Sequence, residues 1–462
     1  MRRSRGKLCS LYLRFRARIA RVPELAPSRQ STADRVNWLF LDLNSYFASV
    51  EQQLQPELRG KPVAVVPVMV DTTVCIAASY EAKAYGVRTG TQVGDAKKMC
   101  PGLILVDARQ DLYVEFHHRI VDVVESCVPV TAVKSIDEMA CRLIGRQCQL
   151  ENARRLAGEI KQKIRKQVGD ELRCSVGLAP NRFLAKVASD MQKPDGLFAI
   201  CASELPGVLY RLKPSDLPGI GPQTNQRLEQ KGIRTMQQIC SLSLAQMHEL
   251  WGSVWGERLW HLLRGEDWDE DYDALQKSVS HSHVLSPDFR THEGAELVMQ
   301  KLLHKAAARL RKLGVWARGI SISVTFAPRR DKKHWERHLR LQECQDTVTL
   351  LEAFHRLWSG CPRTKGLPML VGVALYDLVP DAMHTASLLE DESRRGRLSE
   401  AMDFLNAKYG GSTLHLGALQ QVRGAAPTRI AFSSIPEFEQ PNPTLRRRKN
   451  VQKAATERSE DS

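Results

Sequence analysis

The order of strand-like and helix-like segments constrains the fold of this chain more than any other feature of its sequence. Short apolar segments of the kind that forms strands alternate with amphipathic segments between residues 38 and 191. This alternation predicts an α/β domain in which helices cover one sheet. The predicted strands are 38–42, 131–136, 139–144 and 174–178, and the predicted helices are 111–126, 151–168 and 181–191.

A shorter region interrupts this order. Residues 47–105 contain their own predicted strands at 63–66 and 73–77 and their own predicted helices at 80–85 and 95–99. Because this region carries a complete set of short elements, we expect it to form an insertion in the α/β domain.

Two different patterns follow. Residues 201–272 predict helices only, and an acidic stretch at 266–273 is typical of a linker. Residues 276–380 predict the order strand, helix, two hairpin strands, helix and strand. This β-α-β-β-α-β order predicts a separate small domain. Beyond residue 425 the chain is rich in Pro, Ser and Arg, which predicts disorder.

The charge balance favours a polyanionic partner. Lysine and arginine together number 67, against 52 acidic residues, which gives a net charge of +15. A nucleic acid fits such an excess, although a basic soluble protein that binds none can carry the same balance. The eleven cysteines form no C-x-x-C pair, which predicts reduced thiols in a cytoplasmic protein. No apolar segment approaches the roughly 20 residues of a membrane span.

The first 35 residues are rich in arginine and contain only two acids, Glu24 and Asp34. This composition resembles that of a transit peptide. A disordered basic arm, or a start codon assigned too far upstream, accounts better for the segment because no amphipathic helix is well formed in it.

Carboxylates stand at the ends of apolar strands. Asp42 closes the first strand, and Asp137 and Glu138 lie between two strands. Charged residues in such places are costly unless they are paired or bind metal, and phosphoryl transfer by two metal ions requires several of them. Adjacent strand residues face opposite ways, so Asp137 and Glu138 reach one site only at a bend. The alternative is that these acids belong to ordinary turns.

Four segments together carry a family resemblance. They are LDLNSYFASVE at 41–51, ASYEAKAYGV at 78–87, SIDE at 135–138 and NRFLAKVASDMQKPDG at 181–196. In sequence, order and spacing they resemble the motifs of the Y-family, DinB-type lesion-bypass DNA polymerases. The resemblance covers residues 37 to 272, and the later β-α-β-β-α-β region resembles the little finger of that family.

The resemblance implies a right-hand-like architecture for an α/β multidomain chain. It implies an α/β palm, small fingers, a helical thumb with a helix-hairpin-helix, and a β-α-β-β-α-β little finger. The expected boundaries are 1–35 for a disordered extension, 36–46 and 106–200 for the palm, 47–105 for the fingers, 201–272 for the thumb, 276–422 for the little finger and 423–462 for a disordered tail.

It also implies the roles of the site residues. Asp42, Asp137 and Glu138 would be the catalytic carboxylates and would bind two Mg²⁺ ions, with the backbone carbonyl of Leu43 as a further metal ligand. Tyr80, Lys83 and Lys193 would contact the incoming triphosphate. The chain departs from the family at Lys83, where arginine is usual. A point charge there replaces a bidentate fork, which predicts weaker nucleotide binding.

Two smaller departures accompany it. Asn44 stands where a carboxylate is frequent, and Met139-Ala140-Cys141 lacks the aromatic residue that is common after the acid pair. Neither position is a metal ligand in the resemblance, so these departures affect the packing of the site and leave the predicted metal ligands in place.

Phe47 has two interpretations. By resemblance it is an aromatic steric gate under the nucleotide sugar, five positions after Asp42. By periodicity alone it is a core residue of a helix capped by Asn44 or Ser45, on one face with Val50 and Leu54.

Two further regions predict contacts with DNA. Gly219-Ile220-Gly221 fits a helix-hairpin-helix turn, in which glycine lets the backbone approach phosphate, although such a sequence is also common in ordinary loops. Basic residues on the later hairpin favour contacts with the phosphate backbone that do not depend on base sequence, although charge runs are also typical of solvated faces. These residues are Arg318, Arg329, Arg330, Lys332, Lys333, Arg337 and Arg340.

The sequence therefore predicts a template-directed, low-fidelity DNA polymerase that acts as a monomer on primer–template DNA and dNTPs. Two alternatives are a catalytically inactive polymerase-like scaffold and a DNA repair nuclease module that shares only the hairpin. The three acids disfavour the scaffold, and the segment around Tyr80 disfavours the nuclease module. A cytoplasmic, nucleoid-associated location is expected. The segment 384–389 lies where relatives carry a sliding-clamp peptide, but it lacks glutamine and a final aromatic residue, which predicts weak clamp binding.

Overall fold

The structure is a computed structural model that describes residues 35–268, 277–327, 334–363, 366–384, 390–409, 413–422 and 424–426. The chain divides into two compact units, Met1–Trp268 and Asp269–Ser462. Among the described residues, no helix combines the length and the apolar composition that a membrane span requires. Each of the ten cysteines in these ranges is a free thiol.

The first unit follows the predicted α/β order. Its strands and α-helices up to residue 199 are β1 (Trp38–Leu43), α1 (Tyr46–Leu54), β2 (Val63–Val66), β3 (Ala77–Ala78), α2 (Tyr80–Ala84), α3 (Val93–Met99), β4 (Ile104–Asp107), α4 (Gln110–Glu125), β5 (Ala132–Val133), β6 (Glu138–Arg142), α5 (Leu150–Gln167), β7 (Cys174–Ala179), α6 (Arg182–Met191) and β8 (Leu197–Ala199).

The main sheet of this unit has the order β5-β6-β1-β7-β8 within the described residues. Strand β1 runs antiparallel to both of its neighbours, β6 and β7, and all six of its residues are buried. A strand in the centre of a sheet that is buried on both faces has a continuous apolar sequence, which is what WLFLDL shows apart from its acid. The polar exception, Asp42, is therefore held on a rigid central strand.

The insertion forms a small sheet of its own. Among the described residues its order is β3-β2-β4, with β2 parallel to β4 and antiparallel to β3. Its core is separate and consists of small apolar residues such as Ala64, Val66 and Val93. This region therefore has a small hydrophobic core of its own.

The helical region of the first unit continues from the main sheet. Its α-helices are α7 (Pro222–Gln230), α8 (Met236–Ser241), α9 (Leu244–Trp251) and α10 (Val254–Leu262). Their buried residues share one apolar cluster with Trp38 and Phe40 of β1 and with one face of α6. The helical region therefore packs directly on the sheet that carries Asp42.

The second unit has the predicted strand and helix order. Its main elements are β9 (Ser278–Val284), α11 (His292–Lys312), β10 (Val315–Phe326), β11 (His334–Cys344), α12 (Thr347–Trp358), β12 (Pro368–Pro380) and α13 (Glu390–Tyr409). Within the described ranges the sheet order is β11-β10-β12-β9, and every neighbouring pair is antiparallel.

The two faces of this second sheet differ. One face packs on α11 and α12 through a core that includes Ile320, Ile322, Val373 and Leu375. Because the registers pair residues that share a face, the opposite face can be followed across all four strands. Apart from Leu370 and Val284 at one end, it carries mainly small and polar side chains. We name the following residues the polar sheet face: Ser278, Ser280, Ser282, Ser321, Ser323, Glu336, His338, Arg340, Gly372 and Tyr376.

The structure corrects several local predictions. The strand predicted at 131–136 is only Ala132–Val133, and the one predicted at 73–77 is only Ala77–Ala78. The rest of each segment contains bends, and β-propensity alone does not predict where strand pairing ends. The sequence does not predict the short strands β4 and β8, because each is only three or four residues long and only partly buried.

Candidate active site

Asp42 and Glu138 are direct neighbours in the main sheet. The register of β1 and β6 places Asp42 opposite Glu138, so the two side chains share a face. Asp137 lies in the turn immediately before β6, and its backbone carbonyl accepts a hydrogen bond of 2.8 Å from the N–H of Leu43. The bend that the acid pair requires is therefore present at residues 135–137.

The turn is held from below by a buried histidine. The Nδ1 of His117 on α4 lies 2.8 Å from the carbonyl oxygen of Ile136. Burial lowers the pKa of His117 to about 4, so the ring is neutral near pH 7 and suits a hydrogen bond with the backbone. Within the turn, the hydroxyl of Ser135 donates to Oδ1 of Asp137 at 2.6 Å.

Helix α6 brings positive charge to these acids. Its first residue follows Asn181, whose side chain accepts a hydrogen bond from the N–H of Leu184 and so caps the helix. A Cβ at Gly177 on β7 would lie 1.9 Å from the carbonyl oxygen of Ala185, so only glycine permits this close approach of helix and strand. The approach places Lys186 above the end of β1.

Two lysines contact the carboxylates directly. The Nζ of Lys186 lies 2.5 Å from Oδ2 of Asp42 and 2.8 Å from Oε1 of Glu138. The Nζ of Lys193 lies 2.7 Å from the same Asp42 oxygen. Asp190 contacts both ammonium groups, at 3.2 Å and 2.8 Å. Lys186 and Asp190 have no predicted role, although both stand inside the fourth motif and their i,i+4 spacing is a usable signal.

The pKa shifts in this cluster indicate that its negative charges are poorly solvated. Burial, and to a smaller degree the charge of Asp42, raises the pKa of Asp137. Burial also raises the pKa of Glu138. Burial lowers the pKa of Lys186, but the nearby charges of Asp42, Asp190 and Glu138 outweigh it and raise that pKa overall. Negative charge in a poorly solvated place thus requires neutralisation by a cation.

The donor set fits a hard divalent metal ion. Within the described ranges, no three acidic, histidine or cysteine side chains are already arranged around a single metal-sized position. The lysine contacts explain this, because the two ammonium groups supply the neutralising charge themselves. Three carboxylates on adjoining backbone segments, together with the carbonyl of Leu43, give an all-oxygen set of the kind that Mg²⁺ prefers.

Asn44 links β1 to the loop that carries Lys193. Its Oδ1 accepts a hydrogen bond of 2.7 Å from the N–H of Asp195, and its Nδ2 lies 3.1 Å from Oγ of Ser175. Asn44 is buried, and an amide serves here because it both donates and accepts. The residue is therefore a fixed part of the site, and it is not the cap of α1, whose N-cap is Ser45.

Tyr80 and Lys83 lie on α2, close enough to the carboxylates for the charge of Asp42 to affect the pKa of both side chains. The hydroxyl of Ser79 caps this helix, and the spacing of three residues puts Tyr80 and Lys83 on one face. The Nζ of Lys83 lies 4.5 Å from the centre of the Tyr80 ring. Burial and the charge of Asp42 raise the pKa of Tyr80 to about 12, whereas burial and the charge of Lys193 lower the pKa of Lys83.

Phe47 lies near the start of α1 and is only half-buried. Its ring stacks on Tyr113 with centroids 4.4 Å apart and an interplanar angle of 16°. The hydroxyl of Tyr113 donates to the buried carboxylate of Glu51 at 2.7 Å, and Arg109 also donates to that carboxylate. Phe47 thus rests on a rigid, hydrogen-bonded base.

The helix that carries Phe47 differs from the prediction in two ways. Ser45 is its N-cap, but the Ser45 side chain makes no capping hydrogen bond. Leu54, predicted to share an apolar face with Phe47 and Val50, is 40% exposed, whereas Val50 is fully buried. Leu54 is the last residue of the helix, and its side chain lies partly outside the core.

The predicted helix-hairpin-helix turn is present. Gly219 has φ of 86°, a conformation that favours glycine, and Gly221 is the N-cap of α7. Ile220 between them is buried in the core of the helical region. Helix α8 follows after a turn and is capped by Thr235.

The basic hairpin of the second unit is only partly described. Arg329, Arg330, Lys332 and Lys333 lie outside the described residues, as do residues 385–389 of the predicted clamp segment. The registers place Arg337 opposite Ile322 and Arg340 opposite Gly319, so these two arginines lie on opposite faces of the sheet. Arg318 is paired with Glu343 at 2.5 Å. Strand pleating therefore separates Arg337 from Arg340, and an acid pairs Arg318, so these three arginines do not form one surface. The contact of this hairpin with the phosphate backbone stays a prediction.

Comparison with known proteins decides the family. Residues 41–190 match the impB/mucB/samB family, residues 276–388 match its C-terminal domain, and residues 215–267 match the thumb domain of DNA polymerase-iota. The chain is 35% identical over 388 residues to DNA polymerase IV of Moorella thermoacetica, which covers 82% of this chain and 94% of that relative. This chain belongs to the Y-family DNA polymerases of the DNA polymerase IV type.

Other relatives agree. DNA polymerase IV of Caulobacter vibrioides is 31% identical over 86% of this chain and 98% of its own length. A solved Y-family chimera, Dbh-Dpo4(243-245)-Dbh, shares the fold with a TM-score of 0.61 at 24% identity, covering 74% of this chain and 99% of that one. The insertion ternary complex of Dbh DNA polymerase gives a TM-score of 0.50 at 25% identity, with the same coverage.

Membership settles the activity. The Y-family chain is a DNA-directed DNA polymerase of the translesion type, with the right-hand-like α/β architecture and the helix-hairpin-helix thumb of its family. Polymerases of this family use divalent metal ions. The relatives are named as polymerases, so the inactive scaffold gains no support from them.

Proposed function

We propose that nucleotidyl transfer in this polymerase depends on two Mg²⁺ ions held by Asp42, Asp137 and Glu138, with the backbone carbonyl of Leu43 as a further ligand. Bound there, the ions would lower the pKa of the primer 3′-hydroxyl and neutralise the charge of the triphosphate. The protein's part is to keep three carboxylates on a rigid central strand and its adjoining turn, so that little reorganisation is needed during the reaction.

The observation that carries this proposal is the shared contact of Lys186 and Lys193 with Asp42, together with the position of Glu138 opposite it. Buried acids that attract two ammonium groups would bind a divalent cation more strongly still, because its charge is doubled. Lys193 would then become available to a phosphate oxygen.

The same geometry supports a triphosphate site beside the carboxylates. Lys193 contacts Asp42, Lys83 lies over the ring of Tyr80, and the charges of Lys193 and Asp42 both act on the pKa of Lys83, so these residues lie near one another. Ammonium groups and a phenol that retains its proton are suitable partners for phosphate oxygens. We assign Tyr80, Lys83 and Lys193 to the triphosphate of the incoming dNTP.

Phe47 is proposed as the sugar gate. Its half-exposed ring is braced by Tyr113, so the ring would resist displacement by a ribose 2′-hydroxyl. A ribonucleotide would have to shift, and a shift of about 1 Å can cost on the order of a hundredfold in rate.

Primer–template DNA is the proposed macromolecular partner, and the insertion ternary complex of Dbh DNA polymerase supports this choice. In the first unit, Gly219 and Gly221 would let the backbone N–H groups at the start of α7 reach a DNA phosphate. In the second unit, the hydroxyls of the polar sheet face and Arg340 suit phosphate contacts that are independent of base sequence. The basic residues Arg329, Arg330, Lys332 and Lys333 would add to them.

The proposed domain boundaries follow the expected palm, fingers, thumb and little finger. We propose that the chain acts as a monomer and binds the sliding clamp only weakly through His384 and the residues after it. A pull-down with the bacterial clamp checks this, since strong capture that is lost in Leu388→Ala and Leu389→Ala would contradict it.

Primer extension on an undamaged template tests the proposed metal chemistry. Extension by the full chain should require added Mg²⁺ and stop when a chelator is in excess, while DNA binding persists. Extension that continues in chelator would contradict the metal assignment. Tight DNA binding with no extension under any divalent metal would instead favour the inactive scaffold.

A further inference from the structure

Ser45 occupies the N-cap position of α1, but its side chain does not cap the helix. It precedes α1 with φ of 49° and ψ of 40°, in the left-handed region that residues other than glycine rarely adopt. Serine is favoured before helices because its hydroxyl accepts a hydrogen bond from an N–H of the first turn. Here the side chain makes no such bond. The backbone therefore carries strain, and the hydroxyl is directed to another partner.

That partner is Lys83 from the insertion. Its Nζ donates to Oγ of Ser45 at 2.7 Å, across 38 residues of sequence. Ser45 is adjacent to Asn44, which is held by Ser175 and Asp195, so the serine is attached to a fixed part of the site. The bond thus fixes a flexible lysine of α2 to the end of β1.

We propose that Ser45 and Lys83 act as one donor pair for the triphosphate, in which the Ser45 hydroxyl fixes the Lys83 ammonium and donates its own hydrogen to a non-bridging phosphate oxygen. This inference rests on the proposed assignment of Lys83 to the triphosphate and adds a residue, Ser45, to which the family resemblance assigns no role.

The donor inventory supports the pair. A lysine ammonium has three donors and no acceptor, so one hydrogen bond to Ser45 leaves two donors for phosphate. A serine hydroxyl that accepts from lysine retains its own O–H for donation. Fixing the ammonium also reduces the entropy that this long side chain would lose when nucleotide binds. Two donors held side by side can therefore serve neighbouring phosphate oxygens.

The test measures the nucleotide Kd and the maximum rate of single-nucleotide incorporation by the full chain. Ser45→Ala and Ser45→Gly should each raise the Kd by about tenfold, as expected for loss of a hydrogen bond to a charged group. Ser45→Gly tolerates the left-handed backbone, so it separates loss of the hydroxyl from strain at the helix start. Ser126→Ala is the matched control, because its hydroxyl donates to the carbonyl of Val123 on its own helix and lies next to the Sγ of Cys127.

A double-mutant cycle identifies the pair. Lys83→Ala should raise the Kd, and adding Ser45→Ala should raise it little further, because the two changes remove one unit. Lys83→Arg should restore much of the affinity lost in Ser45→Ala, since a guanidinium supplies two donors by itself. Ser45 would then be a binding and positioning residue, and a merely structural role would show no rescue.

The outcomes separate this inference from the assignment beneath it. If Lys83→Ala leaves the Kd unchanged, the assignment of Lys83 to the triphosphate is wrong and the pair falls with it. If Lys83→Ala raises the Kd while both Ser45 variants leave it unchanged, or if the two effects are fully additive, the pair alone is overturned. Failure of Lys83→Arg to rescue also overturns it.

Discussion

The cluster of Asp42, Asp137 and Glu138 in the first unit, which we call the carboxylate edge, differs in its chemistry from the polar sheet face of the second unit. Around Asp42, charges of both signs are partly or wholly buried and contact one another at hydrogen-bonding distance. The polar sheet face carries hydroxyls and glycine, with few charges. The carboxylate edge therefore holds several charges in one cluster, whereas the polar sheet face spreads mainly neutral polar groups over four strands.

This difference predicts which single substitutions have large effects on activity and on DNA affinity. A buried cluster loses its function when one partner is removed, because the remaining charges are left uncompensated. A distributed surface loses only part of its affinity with each donor. We therefore expect chemistry to depend on individual residues of the first region, and DNA affinity to depend on the second region as a whole.

The largest expected effect comes from the carboxylates. Asp42→Ala or Asp137→Ala should lower primer extension by about a thousandfold or more, because metal ions contribute several kcal/mol to stabilising the charge of the transition state. Glu138→Ala should also be severely impaired. DNA affinity, measured by fluorescence anisotropy, should change little.

Asp122→Ala provides the control, because this acid lies exposed on α4 and belongs to none of the four motifs. Substantial extension by the Asp42 or Asp137 variant would remove the distinction between the two regions, as would a large loss of DNA affinity.

The next effect concerns sugar selection. Phe47→Ala should raise ribonucleotide incorporation relative to dNTP incorporation by about a hundredfold, since a gate that misplaces the α-phosphate has an effect of that order. The melting temperature should stay close to that of the parent, because the Phe47 ring is half-exposed. If Phe47 is instead a core residue, the variant should lose a few kcal/mol of stability and keep its sugar preference.

Part of this site follows from the sequence, and part does not. The strand WLFLDL, the acid pair and the helix-hairpin-helix turn are local patterns, and the structure has them at the predicted positions. The contact of Lys186 with Asp42 joins residues 144 apart in sequence, so it depends on how closely α6 packs on β7 at Gly177. No local periodicity contains that information.

The second unit shows the same division. The strand and helix order follows from apolar periodicity, but the facing of Arg337 and Arg340 depends on the register of β10 and β11. A register is fixed by pairing with a distant strand and cannot be read from a run of charges. Likewise, local sequence predicts an ordinary cap at the left-handed Ser45, because its partner Lys83 comes from another segment.

A smaller effect is expected when the second unit is removed. A chain that ends at Trp268 should bind DNA about tenfold or more weakly, with a shallower dependence on salt, because fewer cationic contacts displace counterions. At saturating DNA and dNTP, its rate of single-nucleotide incorporation should stay within a few-fold of the parent's. Thermal melting checks that the shortened chain is folded. Undiminished affinity would show that the distributed surface contributes nothing.

The smallest effect is expected at the thumb turn. Gly221 has an ordinary φ, and a Cβ added there meets no protein atom within 4 Å, so Gly221→Ala should leave the fold intact. If a DNA phosphate approaches this backbone, the added methyl group should weaken DNA binding a few-fold. Gly158→Ala on α5 has the same open surroundings and serves as the control. Equal affinities of the two variants would argue against a phosphate contact at Gly221.

Metal binding itself is the most direct test of the claim that the carboxylate edge holds two cations. Mn²⁺ can be titrated by electron paramagnetic resonance into the full chain bound to a primer that ends in a dideoxynucleotide, with a matching dNTP present. The wild-type chain should bind two ions per complex, and Asp137→Ala should lose most of this binding while it still retains the DNA. Equal numbers of tightly bound ions in the wild-type and variant complexes would contradict the account.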